Sequence, residues 1–319
     1  PLERFDMKEI EMLLAQKKYF VLHAPRQTGK TSSMLALMEH LNRGGQYKAV
    51  YCNVEAAQAA RENVEQAMND IVRELGAMAR IYLKDKFLEE QRDQFLAPGG
   101  YGTAVAMSLR AWAEKCDKPL VVMFDEVDSL VGDTLISFLR QIRSGYNQRP
   151  TSFPQSIMLC GIRDVRDYRI HASSEKEIIT GGSAFNIKAE SLRMGDFIKP
   201  EVYTLLEQHT LDTGQKFTSK AKACIWHLTC GQPWLVNALA YETCFKIEEG
   251  RDRSRAIDKD MVDRAKDNLI ARRDTHLDQL ADKLQEERVR RVISPMLQGR
   301  DLDVRLDDIQ YVEDLGLVR

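Results

Sequence analysis

The chain has 319 residues, a net charge of −2 and a pI of about 6.4, so its overall charge does not attract it to nucleic acid or to an acidic membrane surface. Its length predicts roughly two to three domains. No apolar run approaches the ~20 residues that a membrane-spanning helix needs. The six cysteines form no CxxC pair, which argues against a zinc site and favours a reducing cytoplasm.

The first part of the chain alternates strand and helix patterns, which predicts a parallel sheet covered by helices on both faces. An amphipathic helix is predicted at 7–16. The predicted strands are 18–23, 48–54, 119–124 and 156–161. The helices predicted between them are 30–43, 61–84, 101–116 and 129–143. A polar, partly helical connection is predicted at 85–101, and loops are predicted at 144–155 and 164–185.

A phosphate-binding pattern follows the first of these strands. Residues 24–31 are Ala-Pro-Arg-Gln-Thr-Gly-Lys-Thr. Backbone N–H groups of such a loop wrap the phosphates of a nucleotide, and the helix N-terminus adds a partial positive charge. Lys30 is expected to reach the β- and γ-phosphates, and Thr31 to ligate Mg²⁺. The nucleotide contacts are predicted at Ala24, Pro25, Arg26, Gln27, Thr28, Gly29, Lys30, Thr31 and Ser32.

Ala24 stands where the pattern has its first glycine. Its methyl group is tolerated if its φ stays negative, since only a positive φ strictly requires glycine. The alternative interpretation is an ordinary polar turn. The position between a strand and a helix, together with a second motif downstream, favours the phosphate loop.

The second motif is a buried strand that ends in two acids. Residues 120–124 are apolar and are followed by Asp125 and Glu126. Acids at the end of a buried strand are costly unless they have a function. We expect Asp125 to hold Mg²⁺, partly through water, and Glu126 to act as the general base on the attacking water. The alternative role for Asp125 is a helix cap, for which Asp128 is the better candidate.

Helical patterns dominate after Ile187. Helices are predicted at 198–213, 218–229, 232–249 and 258–287. The last part follows a winged-helix order: a helix, Gly299, a second helix at 306–315, and the start of a strand at Leu317-Val318. We expect the wing to continue after Arg319. The predicted domains are 1–185 (ATPase core), 186–250 (helical lid) and 251–319 (helical or winged-helix module).

These motifs together resemble a known family. The loop at 24–31, Phe124-Asp125-Glu126 and Gly231-Gln232-Pro233 are similar to those of the AAA-like ATPases of the AAA+/STAND group. The segments 185–193 and 308–318 resemble bacterial AAA-like domain proteins. The resemblance implies an α/β fold, in which a P-loop NTPase parallel-sheet core is followed by an α-helical lid and a C-terminal winged-helix-like module.

The resemblance also implies roles for single residues. Pro233 matches the lid proline that packs near the adenine, although a plain helix start with proline at its first position is the alternative. Arg163 follows the strand at 156–161 and is expected to sense the γ-phosphate, where the family usually has Asn or Thr. The rival arginines are Arg166, Arg169 and Arg193.

The residues and the resemblance predict an ATP-hydrolysing molecular switch that uses ATP/ADP and Mg²⁺. Its state would be transmitted to a protein partner or an attached effector domain, and self-association fits the family. The alternative is a DNA-associated ATPase, which the acidic helix at 306–315 disfavours. Basic runs at 272–273 and 288–291 are typical of solvated helix faces. A scaffold with negligible turnover would not need Glu126.

Overall fold

The computed structural model describes residues 2–96, 100–161, 169–171, 178–180, 187–272, 283–300 and 304–318. The chain divides into two compact units. The first, called the core unit here, comprises Pro1–Ala24 and Gly29–Met194. The second, called the C-terminal unit, comprises Gly195–Arg319 together with Pro25–Thr28.

The core unit is built on a five-stranded sheet. Its strands are β1 (Tyr19–His23), β2 (Lys48–Asn53), β3 (Leu120–Asp125), β4 (Ser156–Gly161) and β7 (Lys188–Arg193). Their order is β2-β3-β4-β1-β7, and every neighbouring pair is parallel. The strands β1, β3 and β4 are buried along their whole length, which explains why their sequences are continuous apolar runs.

Helices cover both faces of this sheet. They are α1 (Met7–Ala15), α2 (Lys30–Gly44), α3 (Val64–Leu83), α4 (Phe87–Glu90), α5 (Arg92–Phe95), α6 (Ala104–Lys115) and α7 (Gly132–Ser144). Successive side chains of β1 point to opposite faces. Tyr19 and Val21 pack in an apolar cluster with α3, α6 and α7, whereas Phe20 and Leu22 pack with α1 and α2. The predicted fold class, a parallel sheet between two helical layers, is confirmed.

Three strands were absent from the sequence prediction. Strand β7 pairs with β1 at one edge of the sheet. Its sequence, Lys-Ala-Glu-Ser-Leu-Arg, lacks the apolar run of a central strand, because an edge strand need not be buried on both faces. The predicted loop at 164–185 also contains an antiparallel pair, β5 (Arg169–His171) and β6 (Ile178–Thr180).

The C-terminal unit is helical. Its helices are α8 (Lys199–Thr213), α9 (Ser219–Thr229), α10 (Pro233–Tyr241), α11 (Glu248–Arg251), α12 (Lys259–Ala271), α13 (Glu287–Leu297) and α14 (Leu306–Asp314). An apolar cluster joins α8, α9, α10 and α12 around Val202, Ile225, Val236 and Val262. Among the described residues, no helix combines the length and the apolar character that crossing a membrane requires.

The single helix predicted at 232–249 is wrong. Helix α10 ends at Tyr241, the π-helical turn Glu242–Lys246 follows, and Ile247 is extended before α11. A methyl group on Gly250 would lie 1.8 Å from the carbonyl oxygen of Thr243. The chain therefore folds back closely on itself, and only glycine fits at that contact.

The last two helices form a small separate cluster. Val289 and Val292 of α13 pack against Val312 of α14. The predicted strand start at Leu317-Val318 is wrong, because no strand is present in residues 304–318. A strand needs a neighbour for its backbone N–H and C=O groups, and the described part of this module supplies none. Whether the module is a winged helix stays a prediction.

Candidate functional site

The loop at 24–31 connects β1 to α2. Gln27 and Gly29 have positive φ angles of 58° and 87°, which turn the chain sharply before α2 begins at Lys30. Ala24 is fully buried, does not have a positive φ, and donates its N–H to the carbonyl of Gly161. The expectation that a methyl group is tolerated at this position is confirmed.

The polar side chains of the loop differ in burial. The Lys30 ammonium is buried and donates to the carbonyl oxygen of Ala24 at 3.0 Å. The Thr28 hydroxyl is also buried and donates to the carbonyl of Pro25 at 2.8 Å. Arg26, Gln27 and Ser32 are exposed. A buried cation at a helix N-terminus is suited to an anionic ligand such as phosphate.

Asp125 lies at the carboxyl end of β3 and has no solvent exposure. Its Oδ2 accepts hydrogen bonds from the Thr31 hydroxyl at 2.7 Å and from the Tyr51 hydroxyl at 2.9 Å. Its Oδ1 accepts from the backbone N–H of Glu126 at 2.9 Å. The structure thus brings together Thr31 and Asp125, the two residues predicted as Mg²⁺ ligands.

Glu126 follows directly in a left-handed conformation, with φ 57° and ψ 38°. This conformation is uncommon for a residue with a side chain and is frequent at functional sites. Burial raises the pKa of Glu126 above its ordinary value of 4.5, and the charges of Asp128 and Asp125 raise it further, while Lys30 opposes them. A raised carboxyl pKa makes Glu126 a stronger base towards water.

The sequence did not identify Tyr51 as a site residue. Tyr51 is 6% exposed on β2. Burial and the neighbouring Asp125 raise the pKa of its hydroxyl, so the phenol keeps its proton and donates it. An apolar strand that contains one tyrosine gives no sign of this bond, because β2 pairs with β3 only in the folded sheet.

The expected capping role of Asp128 is wrong. Helix α7 begins at Gly132, its N-cap residue is Val131, and no side chain caps it. The Oδ1 of Asp128 and the hydroxyl of Ser129 are buried without a hydrogen-bond partner. Buried polar atoms of this kind call for a water, an ion or a ligand. Both follow Glu126, so they extend the polar region beyond β3.

The donor set fits Mg²⁺. The cation prefers oxygen ligands, keeps several waters, and is usually held by one or two protein groups together with substrate phosphates. Thr31 and Asp125 provide a hydroxyl and a carboxylate. The described residues contain no cluster of three or more His, Cys, Asp or Glu side chains suited to a metal. The pair Thr31 and Asp125 therefore resembles a cation site that a nucleotide completes more than a site in which the protein supplies every ligand.

The structure gives the position of some of the remaining predicted site residues. Arg163 and Arg166 lie outside the described residues. Arg169 belongs to β5, and Arg193 ends β7 with its side chain exposed. Pro233 is buried and is the first residue of α10, with the Gln232 side chain capping the helix. Their expected roles towards nucleotide stay predictions.

Two solved structures are similar to this chain. The Walker-type ATPase paby2304 of Pyrococcus abyssi has a TM-score of 0.56 and 16% identity, over 97% of this chain and 87% of that one. Cdc6p of Pyrobaculum aerophilum has a TM-score of 0.53 and 13% identity, over 97% and 84%. At such identities the likeness concerns the fold, which is the α/β fold of the P-loop ATPases.

Sequence comparison gives the family. No curated protein matches the chain. The AAA-like domain family matches residues 3–318, which is nearly the whole sequence. The chain therefore belongs to the AAA-like domain family of P-loop ATPases.

Proposed function

We propose that this protein binds ATP with Mg²⁺, hydrolyses it, and acts as a molecular switch. The observation that carries the proposal is the hydrogen bond of 2.7 Å between Thr31 and Asp125. It joins the phosphate loop to the acidic end of β3, as a shared Mg²⁺ site requires. Lys30 supplies the cation for the phosphates, and Glu126 supplies a base.

The proposed hydrolysis uses these groups together. A water molecule attacks the γ-phosphorus, its proton passes to the Glu126 carboxylate, and the bond to the β-phosphate oxygen breaks, with that oxygen keeping the electron pair. Lys30 stabilises the charge on the phosphate oxygens. Bound Mg²⁺ would neutralise further phosphate charge. The raised pKa of Glu126 favours proton uptake from the attacking water.

The switch function is supported by where the loop residues belong. Pro25–Thr28 form part of the C-terminal unit, although Ala24 and Gly29 belong to the core unit. Within the C-terminal unit, a methyl group on Gly316 would lie 3.0 Å from the Cβ of Pro25. A phosphate that reorders this loop would therefore act on residues near the end of the chain. A protein partner, an attached effector domain or a second copy would respond to that change.

The test uses Glu126→Gln, with Glu55→Gln as a matched control. Glu55 is exposed, and its charge lies close enough to contribute to the raised pKa of Glu126. We expect Glu126→Gln to bind ATP with unchanged affinity and to retain it unhydrolysed, because only the base is lost. Glu55→Gln should keep turnover. Hydrolysis by Glu126→Gln at the wild-type rate would exclude the general-base role.

A DNA-associated ATPase is the alternative, and the ion pairs of the C-terminal unit disfavour it. Arg288 pairs with Asp308 of α14, Arg291 pairs with Glu287, and Arg272 pairs with Glu242. Arginines neutralised in this way contribute less to phosphate binding. Fluorescence anisotropy with duplex DNA at low salt separates the two functions. Tight binding that weakens steeply with salt would favour the DNA-associated ATPase.

A further inference from the structure

Tyr51 is held firmly in the core unit. Its side chain is 6% exposed and packs in the apolar cluster formed with α1 and α2. Strand β2 is in register with β3, so that Tyr51 lies opposite Met123 and Asn53 lies opposite Asp125. This register sets the distance that the phenol spans along the sheet, and its hydroxyl reaches Asp125 Oδ2 at 2.9 Å.

The hydrogen bonds of Asp125 leave few lone pairs for a cation. Oδ2 accepts from both Thr31 and Tyr51, and Oδ1 accepts from the N–H of Glu126. A carboxylate oxygen offers about two lone-pair positions. Both positions of Oδ2 are therefore occupied, and the Cys160 thiol is a further hydrogen-bond partner of the same carboxylate. In this arrangement Asp125 would hold a cation through water more readily than directly.

The same bonds prepare the Thr31 hydroxyl. Its proton is directed to Asp125 Oδ2, and Tyr51 is also a hydrogen-bond partner of Thr31, so both hydroxyls are oriented at the same carboxylate. If Tyr51 did not donate, Oδ2 would have a free lone pair and the carboxylate could turn towards the cation. The phenol thus restricts the carboxylate from β2, while Thr31 of α2 and the N–H of Glu126 provide the other two hydrogen bonds.

We propose that Tyr51 is a positioning residue for Mg²⁺, which it serves by fixing Asp125 in the orientation that binds the cation through water. The inference rests on the proposed Mg²⁺–nucleotide function of the same site. Groups that orient metal ligands in this way are typically worth about 10- to 100-fold in metal affinity or activity. Mg²⁺ demands near-ideal octahedral geometry, whereas Ca²⁺ tolerates irregular coordination. Tyr51 should therefore matter more for Mg²⁺ than for Ca²⁺.

The experiment compares Tyr51→Phe with Tyr47→Phe. Tyr47 packs against the same apolar cluster. Tyr47→Phe is therefore the matched control, because it also removes one phenolic hydroxyl. A fluorescent ATP analogue carrying a methylanthraniloyl group is titrated with Mg²⁺, with Ca²⁺, and in EDTA. For Tyr51→Phe we expect roughly tenfold more Mg²⁺ at half-saturation, a smaller change with Ca²⁺, and unchanged binding in EDTA. Tyr47→Phe should behave as wild type.

The outcomes separate the inference from the function on which it rests. An unchanged Mg²⁺ requirement in folded Tyr51→Phe overturns the role of Tyr51 alone. Nucleotide binding by the wild type that does not respond to Mg²⁺ overturns the proposed function, and the role of Tyr51 with it. An equal loss for Mg²⁺ and Ca²⁺ would assign Tyr51 to packing and overturn positioning.

A double-mutant cycle keeps the inference testable if Tyr51→Phe is less stable. In an Asp125→Asn background the phenol has no carboxylate to orient, so Tyr51→Phe/Asp125→Asn should match Asp125→Asn in its Mg²⁺ response. Melting temperatures without nucleotide report any general loss of stability. A further loss of Mg²⁺ response in the double variant would contradict positioning through Asp125.

Discussion

Two buried polar regions satisfy their hydrogen bonds differently: the network around Gln215 in the C-terminal unit and the carboxyl end of β3 in the core unit. In the C-terminal unit the Gln215 amide donates to the carbonyls of Gly250, Asp252 and Arg255, each at 3.0 Å. Its oxygen accepts from Arg253 at 2.6 Å. This network fixes a loop by satisfying backbone carbonyls, which is a structural task.

In the core unit the polar groups that follow the carboxyl end of β3 remain incompletely satisfied. Asp128 Oδ1 and the Ser129 hydroxyl are buried without hydrogen-bond partners. Glu126 has a left-handed backbone and a raised pKa. Unsatisfied polar atoms, backbone strain and a perturbed pKa in one place are typical of a site that receives a ligand. The comparison thus assigns chemistry to the core unit and stability to the network around Gln215.

The largest expected effect on function is the loss of nucleotide affinity in Lys30→Ala. The buried ammonium is the cation of the loop. A hydrogen bond with a charged group is worth about 1.5–3 kcal/mol, so the dissociation constant should rise by roughly 10- to 100-fold or more. Isothermal titration with ATP and Mg²⁺ measures it. Lys8→Ala removes an exposed lysine of α1 and is the control; equal losses in both variants would contradict the assignment.

Much of the fold was predictable because the central strands are apolar over their whole length. Strands β1, β3 and β4 agree with their predicted ranges within one residue at each end. Strand β7 was missed because its polar sequence becomes a strand only through pairing with β1. The break after Tyr241 was missed because the close approach of Gly250 to Thr243 is a tertiary contact.

The site was predictable where neighbours in sequence carry the chemistry. The loop at 24–31 and the pair Asp125 and Glu126 are local motifs. The register of β2 and β3 that brings Tyr51 to Asp125 is not local. Asp128 was misinterpreted because its sequence position suits a cap, whereas α7 begins only at Gly132.

Gly231→Ala should destabilise the C-terminal unit. A methyl group there would lie 2.0 Å from the carbonyl oxygen of Phe197, at a φ of +84°. We expect the free energy of unfolding to fall by about 2–5 kcal/mol, since positive φ alone costs about 1–2 kcal/mol and overpacking adds typically 1–3 kcal/mol. Urea unfolding followed by fluorescence detects it, because Trp226 and Trp234 lie in this unit.

Gly214→Ala is the matched control for that substitution. Gly214 has a similar φ of +76° but no atom within 4 Å of the added methyl group. Its free energy of unfolding should fall only by what a positive φ costs a residue with a side chain, about 1–2 kcal/mol. The difference between the two variants isolates the close approach to Phe197. Equal losses would show that the contact with Phe197 is unimportant.

Arg272→Ala tests whether a buried charge in the C-terminal unit is structural. The Glu242 side chain is 4% exposed and pairs with Arg272, which is 50% exposed. Asn268 also donates to Glu242 at 3.1 Å. Because solvent screens Arg272, we expect a loss of about 1–2 kcal/mol, below the 3–5 kcal/mol of a fully buried pair. Adding Glu242→Gln should recover part of this lost stability, because it removes the buried charge that Arg272→Ala leaves unpaired. An absence of recovery would contradict the pairing.

Glu126→Gln should have the smallest effect on stability, and it should stabilise the protein, whereas the substitutions in the C-terminal unit destabilise it. The pKa of Glu126 is raised above 4.5 in the folded protein, so the folded state binds the proton more tightly and loses stability as pH rises through that pKa. In metal-free protein at pH 7, Gln should therefore stabilise, by no more than about 1 kcal/mol since water screens a partly exposed group. Below pH 4.5 the advantage should vanish, because wild-type Glu126 is then neutral. Urea unfolding at both pH values measures the difference. A Gln variant less stable than wild type at pH 7 would mean that the surroundings stabilise the ionised form of Glu126. Glu126 would then be as well satisfied as the network around Gln215, and the contrast between the two regions would not hold.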